Sequence, residues 1–346
     1  MSQITPHQII QKTIFDLQNA HPVSGVQAEE VFNLIMHGEA TQAQIGAILL
    51  GLSIRGESSQ VVAGAARAMR NAATHIHPQS TGLLDTCGTG GDGLSTFNIS
   101  TAVSIVVAAC GQPVAKHGNR AMSSKSGAAD VLEALGVKLE LTPEQVASCI
   151  DEVGIGFLFA PNHHPAMRHA GPVRRELGVR TIFNLLGPLT NPAKAGYQLL
   201  GVYSSEKLEL VADALKQLGI KRALVVHGRD GLDEITTTGI TDAYLIEEGR
   251  DIEPFEVDPS AFGMPFATAE ALKGGDAAFN AEIIKHIFAG QKGAARDIVL
   301  LNAGAALWVT RRADSIAEGI AIAAEAIDSG KANETLNTLI QFTQAV

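Results

Sequence analysis

Residues 83–120 restrict the possible folds more than any other part of the chain. Leu83 and Leu84 form a short apolar run ending on Asp85, followed by Gly88-Thr89-Gly90-Gly91-Asp92-Gly93. Asn98-Ile99-Ser100-Thr101 opens a run of small and branched apolar residues to Cys110, and Val114-Ala115 leads into Lys116-His117-Gly118-Asn119-Arg120. That order predicts strand, glycine loop, helix, strand and basic loop. An α/β protein builds an anion site in this way, at the carboxyl ends of its strands.

Two common glycine loops are excluded on named residues. Gly88, Gly90 and Gly93 fit the dinucleotide spacing, but that fold also needs an acid about 20 positions on to hold a ribose hydroxyl. No Asp or Glu lies between Asp92 and Asp130. A triphosphate loop requires Lys followed by Ser or Thr where Leu94-Ser95 stands. A phosphate cradle of another kind remains. Glycine lets backbone N–H groups approach phosphate oxygens, and Asn98, Ser100 and Thr101 fall where a helix begins and can turn toward the same anion. Lys116, Arg120 and Lys125, with no acid among them, make this region locally positive. A turn whose polar residues merely cap a helix is the simpler alternative. The second basic glycine stretch, after the next strand, weighs against it.

The rest of the chain bounds the setting. With 346 residues, two domains and a large core are expected. A net charge of −10 argues against general nucleic-acid binding, but leaves room for a small phosphorylated substrate in a local basic pocket. No apolar run reaches membrane-spanning length and no signal pattern opens the chain, so a cytoplasmic location is expected. Cys87, Cys110 and Cys149 show no metal or disulfide spacing, and Cys87 reads as a small buried residue at a strand end.

Residues 1–78 read as helices only, at about 5–17, 27–36, 42–54 and 59–71, with Gly46 and Gly51 permitting close helix contact. His75-Ile76-His77-Pro78 reads as a linker. Further on, 127–135 and 142 onward read as helices, 155–160 as a strand, and the acid-free cluster His163, His164, Arg168, His169, Arg174 and Arg175 as a carboxylate or phosphate site. Strand, helix and strand are expected at 197–202, 207–218 and 222–226. The adjacent carboxylates Asp233 and Glu234 beyond that last strand suit Mg2+, a hard cation that takes oxygen ligands. An antiparallel pair at 243–247 and 252–257 is followed by closing helices at 281–289, 295–309, 315–328 and 332–343.

The glycine run 88–92, Asn98-Ile99-Ser100-Thr101 and Lys116-His117-Gly118-Asn119-Arg120 together resemble the anthranilate phosphoribosyltransferase family. So do Val173-Arg174-Arg175, the run Asn184-Leu185-Leu186-Gly187-Pro188-Leu189-Thr190-Asn191-Pro192, and Asp233-Glu234. The resemblance implies an α/β fold: a small all-helical domain, 1–78 joined by helices from about 165–192, and a larger domain, 79–346, with a mostly parallel sheet covered by helices. It implies transfer of the phosphoribosyl group of 5-phosphoribosyl 1-pyrophosphate to the amino nitrogen of anthranilate, in tryptophan biosynthesis, by a homodimer formed through the helical domain.

The resemblance also implies a set of site residues. The activated sugar is held by Gly88, Gly91, Asp92, Thr96, Asn98, Ile99, Ser100, Thr101, Lys116, His117, Gly118, Asn119, Arg120, Ala121, Met122, Ser123, Ser124 and Ala128. Anthranilate is held by Gly88, Asn119, His164 and Arg174. Two Mg2+ ions are held by Ser100, Asp233 and Glu234. Lys116, His117 and Arg174 carry the chemistry, His117 as a hydrogen-bonding group at least as readily as a base. Ala128 stands where many family members place a serine, so it offers at most its backbone. Two alternatives are a pyrimidine nucleoside phosphorylase-like enzyme, which would need no acidic metal pair, and a non-catalytic relative that binds nucleic acid.

Overall fold

The computed structural model describes residues 5–121 and 125–346. Met122, Ser123 and Ser124 therefore lie outside the described residues.

Four helices open the chain: α1 (Pro6–Gln18), α2 (Gly25–Met36), α3 (Gln42–Arg55) and α4 (Ser59–Asn71). Each begins where a hydroxyl can satisfy a free helix N–H: the side chains of Thr5, Ser24, Thr41 and Ser58 accept from the backbone three residues on. Glycine sets the helix spacing. A Cβ on Gly51 would lie 3.1 Å from Leu17, and one on Gly64 only 2.1 Å from the Gly25 carbonyl. Gly46 is not crowded in this way, its nearest neighbour being Val173 at 3.7 Å.

The α/β part runs β1 (Leu84–Asp85), α5 (Ile99–Ala109), β2 (Val114–Gly118), α6 (Ala128–Leu135), α7 (Pro143–Val153) and β3 (Ile155–Phe159). Three helices follow: α8 (Ala160–His163), α9 (Met167–Leu177) and α10 (Phe183–Leu186). Then come β4 (Tyr197–Gly201), α11 (Leu208–Gln217), β5 (Arg222–Gly228), β6 (Thr241–Glu247) and β7 (Glu253–Val257). The chain closes with α12 (Ala277–Phe288), α13 (Ala294–Val309), α14 (Ile316–Asp328) and α15 (Lys331–Ala345).

One seven-stranded sheet has the order β3-β2-β1-β4-β5-β6-β7. Its first five strands are parallel, and β6 and β7 are antiparallel. The chain winds outward from β1 through β2 to β3, then returns to the other side of β1 for β4 and β5. The order reverses between β1 and β4, which is where an open α/β sheet leaves a crevice beyond its carboxyl ends. The glycine loop leaves β1 at that reversal.

One apolar cluster joins α5 and α12–α15 to one side of the sheet. A second joins α1–α4 with Ala170, Val173, Phe183 and Leu186, and continues through α11 into Leu200 and Val225. Segments 166–189 thus pack with the N-terminal helices although they follow β3 in sequence. Lys116, His117 and Gly118 lie on β2 rather than in a loop, because β2 is paired along its whole length with β3.

Candidate functional site

Asp85, fully buried, ties the strand ends together. Its Oδ1 accepts from the backbone N–H groups of Cys87 at 3.0 Å and His117 at 3.1 Å, and its Oδ2 accepts from Asn191 Nδ2 at 2.7 Å. Burial pushes its pKa up to about 6. Cys87 beside it has its thiol pushed up by burial and by the Asp85 charge, the opposite of an activated nucleophile.

The glycine loop is fastened at its two ends. Thr89 N donates to Gly201 O at 2.8 Å and Tyr203 N to Thr89 Oγ1 at 3.0 Å; at the far end Gly274 N donates to Ser95 O at 2.9 Å. A side chain at Gly88 would stand 3.0 Å from Gly201 O and 3.3 Å from Asp233 Oδ2. Between the anchors Gly90, Gly91 and Gly93 take φ of +65°, +79° and +81°, a backbone that L side chains resist. Gly90 N donates to Asp233 Oδ2 at 2.7 Å.

Lys116 is buried on β2, and its Nζ donates to Thr86 Oγ1 at 3.2 Å and Ser100 Oγ at 3.3 Å. Ser100 N donates to Glu234 Oε1 at 3.2 Å. The glycine loop, the start of α5, the ammonium on β2 and the acidic corner after β5 therefore meet at one edge. Gly201 makes this possible, since a Cβ there would fall 1.5 Å from the Asp233 carbonyl.

Asp233 and Glu234 are both held above the ordinary carboxylate range. Burial is the first cause for each; the Asp92 charge follows for Asp233 and the Asp233 charge for Glu234. Neither carboxylate forms an ion pair among the described residues. Two crowded, desolvated acids beside a serine hydroxyl fit a hard divalent cation that completes its shell with substrate oxygens and water. No three His, Cys, Asp or Glu among the described residues form a closed metal cluster.

Other predicted residues divide into two groups. The Asn98 side chain is held by protein partners. Its amide is taken up by Ser126 O at 3.2 Å and its oxygen by Ser126 Oγ at 3.1 Å and Asn280 Nδ2 at 2.9 Å. Ile99 is buried, its N–H donating to Phe97 O at 2.8 Å. Thr96 bridges to Lys273, and Asp92 Oδ1 accepts from Leu94 N at 3.1 Å. The Arg120 guanidinium pairs with Asp130 at 3.2 Å and with Glu133, while Ala121 N donates to Asp130 Oδ2 at 2.9 Å. Asn119 Oδ1 accepts from Arg120 N at 2.7 Å. Gly118 lies close to Ala128, whose Cβ would meet a Gly118 Cβ at 3.2 Å.

The second group has polar atoms to spare. Thr101 Oγ1, His117 Nε2 and His164 Nε2 are buried without a partner among the described residues. The His117 and His164 rings meet edge-on at 5.1 Å, and His117 Nδ1 donates to Gly187 O at 3.1 Å, leaving Nε2 with its lone pair. Burial, then neighbouring histidines, depresses both rings, His164 to about 4 and His117 well below its usual value, so both are neutral at pH 7. Arg174 on α9 lies over the Phe183 ring at 5.1 Å, and desolvation lowers its pKa. It forms no ion pair among the described residues and no hydrogen bond to Gly88, Asn119 or His164.

Asp85 and Gly201 matter to this geometry and were not singled out by sequence. A lone acid or glycine at a strand end is a weak signal, and each acts by fixing backbone that other residues use.

Residues 80–333 match the glycosyl transferase family, a/b domain, and residues 8–73 match the glycosyl transferase family, helical bundle domain. The chain is 50% identical to the anthranilate phosphoribosyltransferase of Acetivibrio thermocellus, over 97% of each chain. It superposes on anthranilate phosphoribosyltransferase from Thermus thermophilus with a TM-score of 0.90 at 44% identity, covering 97% of this chain and 99% of that one. The enzyme from Saccharomyces cerevisiae in complex with 5-phosphoribosyl 1-pyrophosphate and Mg gives a TM-score of 0.90 at 27% identity, covering 97% and 98%.

Proposed function

This chain belongs to the anthranilate phosphoribosyltransferase family, and we propose that its cleft joins the anthranilate amino nitrogen to ribose C1 of 5-phosphoribosyl 1-pyrophosphate, releasing pyrophosphate. One observation carries the assignment of residues. Gly90, Ser100, Lys116, Asp233 and Glu234 are linked at a single sheet edge by hydrogen bonds, with two half-buried carboxylates that form no ion pair among the described residues.

As the C1–O bond breaks, negative charge gathers on pyrophosphate and positive charge on C1. Lys116 and the loop N–H groups are placed in advance for the departing charge, which is how an electrostatic site lowers a barrier. Asp233, Glu234 and Ser100 would hold Mg2+, two ions in our reading, which neutralises pyrophosphate when bound. The nucleophile is an uncharged aryl amine, so it needs direction more than deprotonation. Arg174 offers a planar fork to the anthranilate carboxylate. His117 and His164, both neutral, present acceptor lone pairs for the amine N–H. Closing segments 1–78 and 165–192 over the sheet domain would keep water from the activated sugar.

The acidic pair disfavours the phosphorylase alternative. We further propose a cytoplasmic homodimer. Phe15, Leu50 and Ile54 on α1 and α3 are 56%, 41% and 73% exposed, an apolar surface expected of an interface. No helix among the described residues is long and apolar enough to cross a membrane.

Anthranilate fluorescence tests the reaction. Signal should fall only when protein, anthranilate, activated sugar and Mg2+ are all present, and the Asp233→Ala, Glu234→Ala double variant should abolish the loss at low Mg2+. Undiminished turnover by that variant would remove the metal assignment.

A further inference from the structure

The middle of the glycine loop is held differently from its ends. A Cβ on Gly90, Gly91 or Gly93 would meet nothing within 4 Å, so crowding does not fix these residues. Apart from the acidic corner, Arg180 is the side chain that reaches them from elsewhere among the described residues. Its Nη2 donates to the Gly91 carbonyl at 2.6 Å.

Arg180 is itself well placed to transmit position. It lies in the connection between α9 and α10, which pack with the N-terminal helices. Its carbonyl accepts from Ser53 Oγ of α3 at 3.3 Å. Its guanidinium lies over the Tyr203 ring at 4.2 Å, and Tyr203 N in turn donates to Thr89 Oγ1 at 3.0 Å.

A trans peptide carries its C=O and N–H in one plane and in opposite directions. Holding the Gly91 carbonyl toward Arg180 therefore turns the Asp92 N–H away from Arg180. Gly91 on one side of this peptide is left-handed, and a second left-handed glycine, Gly93, follows directly after Asp92, so the local backbone restrains its rotation little.

We infer that Arg180 is a positioning residue that fixes the Gly91–Asp92 peptide so that the Asp92 N–H is presented to the pyrophosphate, coupling the grip on the activated sugar to the placement of the helical segments. The inference rests on the transferase reading above. An Arg that only packs on Tyr203 would stabilise the chain without affecting one substrate more than the other.

Calorimetry of 5-phosphoribosyl 1-pyrophosphate with Mg2+ on the full chain separates the two roles, since it needs no turnover. Arg180→Ala should weaken binding about tenfold, the scale of one charge-assisted hydrogen bond. Arg180→Lys should recover part of the loss, because an ammonium still donates to the carbonyl. The KM for anthranilate and the substrate-free melting temperature should stay at wild-type values. Unchanged sugar binding in Arg180→Ala overturns the inference. So does a lowered melting temperature with both KM values rising together. Wild-type protein that binds the sugar but never consumes anthranilate would count against the transferase reading, while the Arg180 comparison would stand.

Discussion

The site depends on charges the fold keeps out of water. Lys116 has hydroxyl partners rather than a carboxylate, and Asp85 is surrounded by N–H donors. A buried carboxyl whose pKa is raised binds its proton more tightly folded than unfolded. For Asp85 the window runs from the unfolded value near 3.9 up to about 6. The folded state holds more protons there, so stability falls as pH rises through the window. The Asp85 contribution should amount to roughly 2–3 kcal/mol. Urea unfolding of metal-free wild type and Asp85→Asn at pH 4 and pH 7 should show a steeper loss of stability in wild type, since Asp233 and Glu234 contribute to both; equal slopes would place Asp85 in a more solvated setting. His117 and His164 work in the opposite sense. Their depressed pKa values favour the neutral ring in the fold, so their contribution is lost as pH drops below about 6.5. At this scale the sequence was legible wherever an unusual residue type marked the role, as with Lys116 and Asp233. It was silent on Asp85, whose importance lies in the backbone groups it holds.

Elements place these residues by close approach. The end of β4 passes so near the turn carrying Asp233 that only glycine fits at 201, because a Cβ would sit 1.5 Å from a carbonyl that cannot move alone. Gly201→Ala should therefore shift the acidic corner and reduce turnover at least about a hundredfold, a cost of about 3 kcal/mol in the barrier. Raising Mg2+ should not rescue it, and wild-type activity in a folded Gly201→Ala protein would show that the corner can yield. Helix periodicity made α1–α4 and α12–α15 readable, with hydroxyl caps at the start of α1–α4 and α14. The extent of β2 was not, because Lys116 and His117 are polar and suggested a loop. They stay in the strand since β2 pairs along its length with β3, Lys116 opposite Phe157 and His117 opposite Leu158, a long-range pairing that a local pattern does not encode.

At the scale of the molecule, the strand-order reversal between β1 and β4 leaves room for the glycine loop. The connection between α9 and α10 brings Arg180 to it. This arrangement joins residues far apart in sequence and could be anticipated only through resemblance. The proposed dimer is testable at the same scale. Arg55 Nε donates to Leu17 O at 3.1 Å, which brings the ends of α1 and α3 together and places Phe15 and Ile54 at the same end of the bundle. Phe15→Glu with Ile54→Glu should give a monomer by light scattering with the melting temperature little changed; a dimer that persists would put the interface elsewhere. The most direct test of the whole account is a crystal structure of this protein with 5-phosphoribosyl 1-pyrophosphate and Mg2+ bound. The account predicts pyrophosphate between the Gly88–Gly93 loop and Lys116, with metal against Asp233 and Glu234. Pyrophosphate bound away from Lys116, or metal away from the acidic pair, would contradict it.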